Sequence, residues 1–190
     1  MTRLALLRHY PTTWNREQRL QGQTDVPLTR EARETLAKLA LPAPWDTAAL
    51  VASPLSRAVE TARILAQGRP VRTDPRLVEI SWGDWEGQNA DVLAADPKAG
   101  FRPTHLWDDE DRAPGGESLT EAWARTQTAL VDIAAGPDAV LVAHKALMRL
   151  ILRKAGVAEP EIKRGRLYGL TLSANGDPSA PEAPVRLVPR

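Results

Sequence analysis

Three runs of consecutive apolar residues stop abruptly at polar ones: Leu4-Ala5-Leu6-Leu7 before Arg8-His9, Ala48-Ala49-Leu50-Val51-Ala52 before Ser53, and Val140-Leu141-Val142-Ala143 before His144. Unbroken apolar runs of this length, without the alternation of a half-exposed strand, predict strands buried on both faces, as in a parallel sheet. Between them the period becomes helical. Thr29 caps a stretch with Ala32, Leu36, Leu39 and Ala40 at helical spacing, closed by Pro42 and Pro44. Residues 55–66 read as a second helix, with Ser53 as its cap and Pro54 in its first turn, which sets Arg57 near the helix start. Residues 70–73 read as a short extended piece. Ser118-Leu119-Thr120-Glu121 is a capping box opening a helix through Ala122, Leu130, Ile133 and Ala134, which Gly136-Pro137 ends. A helix carrying Leu147, Leu150, Ile151 and Leu152 follows the third strand. Residues 166–172 and 185–188 read as two last strands with the turn Asn175-Gly176-Asp177 between them.

Alternating strands and helices predict an α/β fold with helices on both faces of a sheet. In such sheets ligands bind beyond the carboxyl ends of the strands. Those ends deliver Arg8, His9, Arg57 and His144 to one crevice. Two permanent cations, two imidazoles and a helix N-terminus favour a compact dianion, and phosphate fits that description.

Composition narrows the class. At 190 residues the chain is sized for a single domain, residues 1–190, with a core that needs no staples. A net charge of +1 gives no overall field for nucleic acid or an anionic membrane, so neither is an expected partner. Cysteine is absent, which excludes disulfides, thiolate metal sites and cysteine nucleophiles. The apolar run near the N-terminus is too short for a signal-peptide core and none approaches a membrane span, so cytoplasmic residence is expected. Residues from about 88 to 116 are rich in Pro, Asp and Gly and read as an insertion or lid over the crevice. Within it, the acidic run Asp108-Asp109-Glu110-Asp111 reads as a solvated face and His105 as incidental. Trp14, Trp82, Trp85 and Trp107 read as packing residues, since no basic stripe interleaves them. Nothing in the pattern specifies an oligomer.

The motifs extend the picture. Arg8-His9, Pro11-Thr12, Trp14-Asn15, Gln21-Gly22, Asp25 and Pro27-Leu28-Thr29 form an opening that resembles the signature of the histidine phosphatase superfamily, the phosphoglycerate mutase-like proteins. Ser53-Pro54-Leu55-x-Arg57-Ala58-x-x-Thr61-Ala62 resembles its second motif, and Leu77-x-Glu79 ahead of Gly83-x-Trp85-Glu86-Gly87 its acid-bearing segment. Gly115-Gly116-Glu117-Ser118 precedes the expected helix, and His144 falls where the second histidine should be. The order is the family's and covers roughly three quarters of the chain. The resemblance implies a three-layer sandwich, a mostly parallel mixed sheet between helices, and phosphohistidine chemistry without a metal ion or other cofactor.

In that scheme neutral His9 attacks phosphorus in line with the leaving oxygen. Two arginines depress its pKa, and an acceptor, expected to be a backbone carbonyl, holds the other ring N–H. Arg8, Arg57 and His144 stabilise the equatorial oxygens. The resemblance places Asn15, with Thr12, Gln21 and Gly22 of the same signature, in substrate binding. It makes Glu79 the general acid and leaves Glu86 to a structural turn. A metal-dependent hydrolase is disfavoured, because neither histidine belongs to a His-x-His or His-Glu-x-x-His pattern.

Two positions depart from the family pattern. Tyr10 replaces a glycine after His9 and is expected either to narrow the pocket or to strain the loop. Lys145 replaces a glycine after His144 and either points away or adds a cation to substrate binding, favouring a substrate with a second acidic group. The leading expectation is a phosphomonoesterase acting on a small metabolite, such as a phosphoglycerate-like acid, a sugar phosphate or α-ribazole phosphate. The alternatives are mutase-type phosphoryl transfer and a catalytically impaired phosphate-binding protein.

Overall fold

The computed structural model describes residues 1–102 and 108–190. Strand β1 (Thr2–Arg8) is flanked by β5 (Ala139–Ala143), parallel to it, and by β6 (Arg166–Leu172), antiparallel. Beyond β5 lie β3 (Ala49–Ala52) and then β4 (Val71–Thr73), both parallel, giving the order β4-β3-β5-β1-β6. Two short strands, β7 (Pro178–Ser179) and β8 (Val185–Arg186), pair antiparallel with β6 and complete a seven-stranded mixed sheet.

Both faces are covered, which is why the predicted strands are apolar without alternation. On one face Ala5, Leu7, Leu50, Ala52, Val140 and Val142 pack against helices α2 (Arg30–Leu36) and α3 (Ser56–Ala66). On the other Leu4, Leu6, Val51, Leu141 and Ala143 meet α5 (Leu119–Ala134) and α6 (Lys145–Lys154). Each fully buried leucine contributes about 1.5–3 kcal/mol of transfer free energy. Helix α5 begins with both halves of the expected capping box, Ser118 Oγ to the Glu121 N–H and the Glu121 carboxylate to the Ser118 N–H. A third cluster gathers Trp82, Trp85, Leu93, Leu119 and Leu150 around Phe101.

Several expectations are corrected. Ser53 does not cap the second helix: the chain bends at residues 54 and 55 after the strand end, and α3 begins only at Ser56, with Leu55 at its N-cap. Helix α2 stops at Leu36, and Leu39–Ala40 forms strand β2, paired with β9 (Val188–Pro189) in a separate two-stranded ribbon. The region 185–188 is thus divided between β8 and β9, and the turn at 175–177 leads from β6 into β7. Within 88–116, Asn89 caps the short helix α4 (Ala90–Ala95) and a 3-10 turn spans Pro97–Ala99. Trp107 and His105 lie outside the described residues. Trp82 and Trp85 are buried in the third cluster, while Trp14 packs against Gly87. Among the described residues no helix is long and apolar enough to cross a membrane.

The register aligns the site. Arg8 pairs with Ala143 and Ala52 with Val142, so β1, β3 and β5 end level with one another. The ladder extends one rung further through His9 N–H to Ala143 O (2.9 Å) and Ser53 N–H to Val142 O (3.1 Å). His9, Ser53 and His144 are therefore set side by side by backbone geometry.

Candidate functional site

The two imidazoles meet with ring centroids 5.2 Å apart and planes tilted by 54°. His9 Nδ1 lies 2.7 Å from the carbonyl oxygen of Tyr10. A carbonyl only accepts, so Nδ1 carries the proton and Nε2 is left with its lone pair. Burial, then the charges of Arg57 and Arg8, hold the His9 pKa well below the ordinary imidazole range.

His144 is fully buried at the N-cap of α6. Its Nε2 is 2.7 Å from Ser53 Oγ, which accepts the Leu55 N–H. No other acceptor for the Ser53 hydroxyl is present among the described residues, so that proton goes to His144 Nε2 and makes Nδ1 the N–H donor. Burial, then Arg57, keeps this imidazole neutral as well. Sequence reasoning missed Ser53 as a positioning residue. A hydroxyl directly after a strand that runs beside the His144 strand was the available signal.

Arg57 is wholly buried, donating from Nη1 to Thr24 O (2.8 Å) and from Nη2 to Gly22 O (2.7 Å). Arg8 is partly buried, and burial followed by repulsion from Arg164 brings its pKa down to about 10, so it remains charged at neutral pH. Buried N–H groups at Arg8 Nε, Arg57 Nε and His144 Nδ1 have no partner among the described residues. Each such donor costs about 1–3 kcal/mol while unpaired. Arg8 and Arg57 line the cleft with His9 and the His144 ring packs against His9, an arrangement complementary to an oxyanion; a fourth such donor, Arg164 Nε, lies outside the cleft lining.

The loop after His9 separates lining residues from supporting ones. Asn15, Gln21 and Gly22 line a cleft of about 390 Å³ together with Arg8, His9, Arg57, Glu79, Trp82 and Lys145. Thr12 is not among the residues lining it. Its side chain is fully buried, accepts the Asn15 N–H and donates to Gln21 Oε1 (2.9 Å), so it holds two lining residues in place. Asn15 Oδ1 takes the Thr12 N–H, and the amide NH₂ has no partner among the described residues.

Glu79 is 8% exposed, and both its oxygens are engaged: Oε1 by the N–H groups of Ile80 and Leu147, Oε2 by that of Ala146. The carboxylate is thereby fixed against the first turn of α6, which begins directly after His144. Its backbone is pinned by Arg125, another residue sequence reasoning missed. Arg125 donates to the carbonyls of Arg76, Val78 and Glu79 and pairs with Glu117 of the Gly-Gly-Glu-Ser motif at 2.6 Å.

Glu86 has a different task. Its carboxylate accepts the N–H groups of Gln23 (2.9 Å), Thr24 (2.8 Å) and Trp82 (3.2 Å), clamping the loop whose carbonyls hold Arg57. Gly22 has φ +50°, and a Cβ there would overlap the Glu86 carboxylate. Gly22→Ala is therefore expected to lower stability by about 1–3 kcal/mol and kcat/KM by about tenfold or more, measured by urea unfolding and steady-state kinetics. Wild-type values for both would contradict this account of the loop.

Neither cost expected of Tyr10 is seen. Its backbone is not among the positive-φ residues, and its side chain enters the core beneath the sheet rather than the cleft. Lys145 does line the cleft, as does Arg149 one helical turn on. Among the described residues no group of three or more His, Asp or Glu could hold a metal ion.

The chain matches the histidine phosphatase superfamily (branch 1) over residues 4–172. It belongs to that superfamily. Among curated histidine phosphatase superfamily relatives, the probable phosphoglycerate mutase GpmB of Enterobacter sp. (strain 638) is 36% identical over 91% of this chain and 84% of its own length. A crystal structure of phosphoglycerate mutase from Thermus thermophilus superposes with TM-score 0.77 and 32% identity, covering 98% of this chain and 99% of that one. The mycobacterial glucosyl-3-phosphoglycerate phosphatase, in complex with VO3, gives TM-score 0.72 and 29% identity over 90% of this chain and 93% of its own. The fold is accordingly phosphoglycerate mutase-like.

Proton linkage follows from the two buried histidines of this superfamily member. Folded-state pKa values lie below the unfolded value of about 6.5, so as pH falls through that value the unfolded chain takes up protons the folded chain does not. Stability is thus present above about pH 6.5 and lost below it, by about 1–3 kcal/mol between pH 6.5 and 5.5. Urea unfolding across this window is expected to show that loss, and a His9→Asn/His144→Asn variant to have a shallower slope. Equal slopes would contradict neutral burial.

Proposed function

We propose that the protein is a phosphomonoesterase that hydrolyses a small phosphorylated metabolite through a phosphohistidine at His9. The observation that carries this reading is the Nδ1 hydrogen bond of His9 to Tyr10 O, which leaves Nε2 unprotonated amid Arg8, Arg57 and His144. In the first step Nε2 forms a bond to phosphorus as the ester P–O bond breaks, and Glu79 gives a proton to the departing oxygen. In the second, water attacks phosphorus, Glu79 takes its proton, and the N–P bond breaks to release orthophosphate. Arg8, Arg57 and the His144 Nδ1–H stabilise the equatorial oxygens in both steps. Asn15 and Gln21 help seat the phosphate. No metal ion or cofactor is required by this scheme.

The names of the relatives favour a second reading, in which the phosphoryl group returns to an organic hydroxyl instead of passing to water. The two share the first step and differ in the acceptor. Purified enzyme with a panel of phosphomonoesters, including p-nitrophenyl phosphate, is expected to release stoichiometric orthophosphate. With 3-phosphoglycerate, formation of the 2-isomer faster than orthophosphate would favour the mutase. A protein that turns over no ester yet binds orthophosphate would overturn both in favour of an impaired phosphate-binding protein.

A further inference from the structure

Helix α6 opens with a charge pattern that its own electrostatics oppose. Lys145 is its first residue and Arg149 lies four positions on, so both project from one face at i, i+4, where like charges repel. Lys145 occupies the positive end of the helix dipole, where acidic side chains are the stabilising choice, and the first turn has no acidic residue. Both side chains line the cleft that holds His9.

The surrounding charges do not neutralise them. Among the described residues Lys145 has no ion-pair partner, and Arg149 has only a hydrogen bond from Nε to Pro160 O at 3.2 Å. Two carboxylates line the cleft. Glu79 is held by the N–H groups of Ile80, Ala146 and Leu147 and forms no ion pair with either cation among the described residues, and Asp91 belongs to α4 and, like Lys145, is exposed. Arg19, also in the lining, is paired with Glu17 at 2.7 Å. Partial enclosure lowers the Lys145 pKa, and repulsion from Arg149, Arg8 and Arg164 adds to it, with Glu79 opposing. A phosphoryl dianion at His9 balances Arg8 and Arg57, and the single negative charge of Glu79 opposes only part of what remains on Lys145 and Arg149.

We infer that Lys145 and Arg149 form a second anion subsite in the cleft, which receives an acidic group, carboxylate or phosphate, carried on the organic part of the substrate. This rests on the phosphomonoesterase reading and narrows its substrate class to esters with two anionic centres. The residue after His144 is then a specificity determinant, a lysine in place of the glycine of the family pattern.

Matched ester pairs test it. Glycerol 3-phosphate and 3-phosphoglycerate differ by a carboxylate, and glucose 6-phosphate and glucose 1,6-bisphosphate by a second phosphate. The wild-type kcat/KM is expected to favour the doubly anionic member of at least one pair by about 10- to 100-fold, the pair revealing which acid is taken. The preference should weaken with added salt. In Lys145→Met, Arg149→Met and the double variant the ratio within a pair is expected to fall stepwise toward one. Because the ratio is taken within each variant, a general loss of activity cancels. A ratio unchanged by both substitutions, or no preference in wild type, would overturn the subsite. If wild type turns over no ester, the hydrolase reading fails instead. Calorimetric binding of the same pairs to His9→Ala still reads the ratio and decides the subsite separately.

Discussion

His9→Ala is expected to lower kcat/KM for any hydrolysed phosphomonoester by at least about 10⁴-fold while orthophosphate binding survives within about tenfold. The reason lies in what the substitution removes. The main-chain bond from residue 9 to Ala143 O persists, so β1 still ends level with β5, and Arg8, Arg57 and His144 keep their supports from other residues. Only the unprotonated nitrogen is lost. His144 cannot replace it, because its Nε2 is occupied by Ser53 and its Nδ1 is a donor. Steady-state kinetics beside calorimetric titration with orthophosphate separate the two effects. Retention of more than about a hundredth of wild-type activity would mean that water attacks the ester directly.

Arg57→Lys is expected to reduce kcat/KM by about 10³-fold, although the charge is kept. A guanidinium bridges the carbonyls of Thr24 and Gly22 with its two terminal nitrogens and still presents the Nε–H, which has no partner among the described residues. A lysine ammonium is a point donor that cannot span two carbonyls and an oxyanion at once. At least one carbonyl is left unpaired in a fully buried place, which costs about 1–3 kcal/mol of stability as well. Kinetics and urea unfolding on one preparation read both losses. A fall of less than about tenfold would show that Arg57 supplies only net charge.

How much of this was readable beforehand depended on whether the deciding contact was local. The strand ends at His9 and His144 were legible, because burial on both faces forces an unbroken apolar run and its last residue is marked by the change to polar. The capping box at Ser118 was equally plain, since both bonds close within four residues. Ser53-Pro54 carried the same local signature of a helix start, but the hydroxyl is claimed by His144, which lies 91 positions away in the chain. Leu39 and Ala40 fit the helical spacing of α2, yet they are drawn into β2 by Val188 and Pro189 at the far end of the chain. Glu79 was found through the motif. What fixes its carboxylate, the N–H groups of Ala146 and Leu147, follows from α6 packing beside it. Thr12 shared a motif with Asn15 and Gln21 and so read as a binding residue, whereas its bonds turn inward to both of them.

Trapping the covalent intermediate tests the central claim most directly. Rapid acid-free quenching of the enzyme with a radiolabelled phosphate ester is expected to yield a labelled protein that survives alkali, loses its label in acid, and releases a single labelled peptide containing His9. A label that is stable in acid, or that maps to another residue, would contradict attack by His9, as would hydrolysis at full rate with no labelled protein at any time.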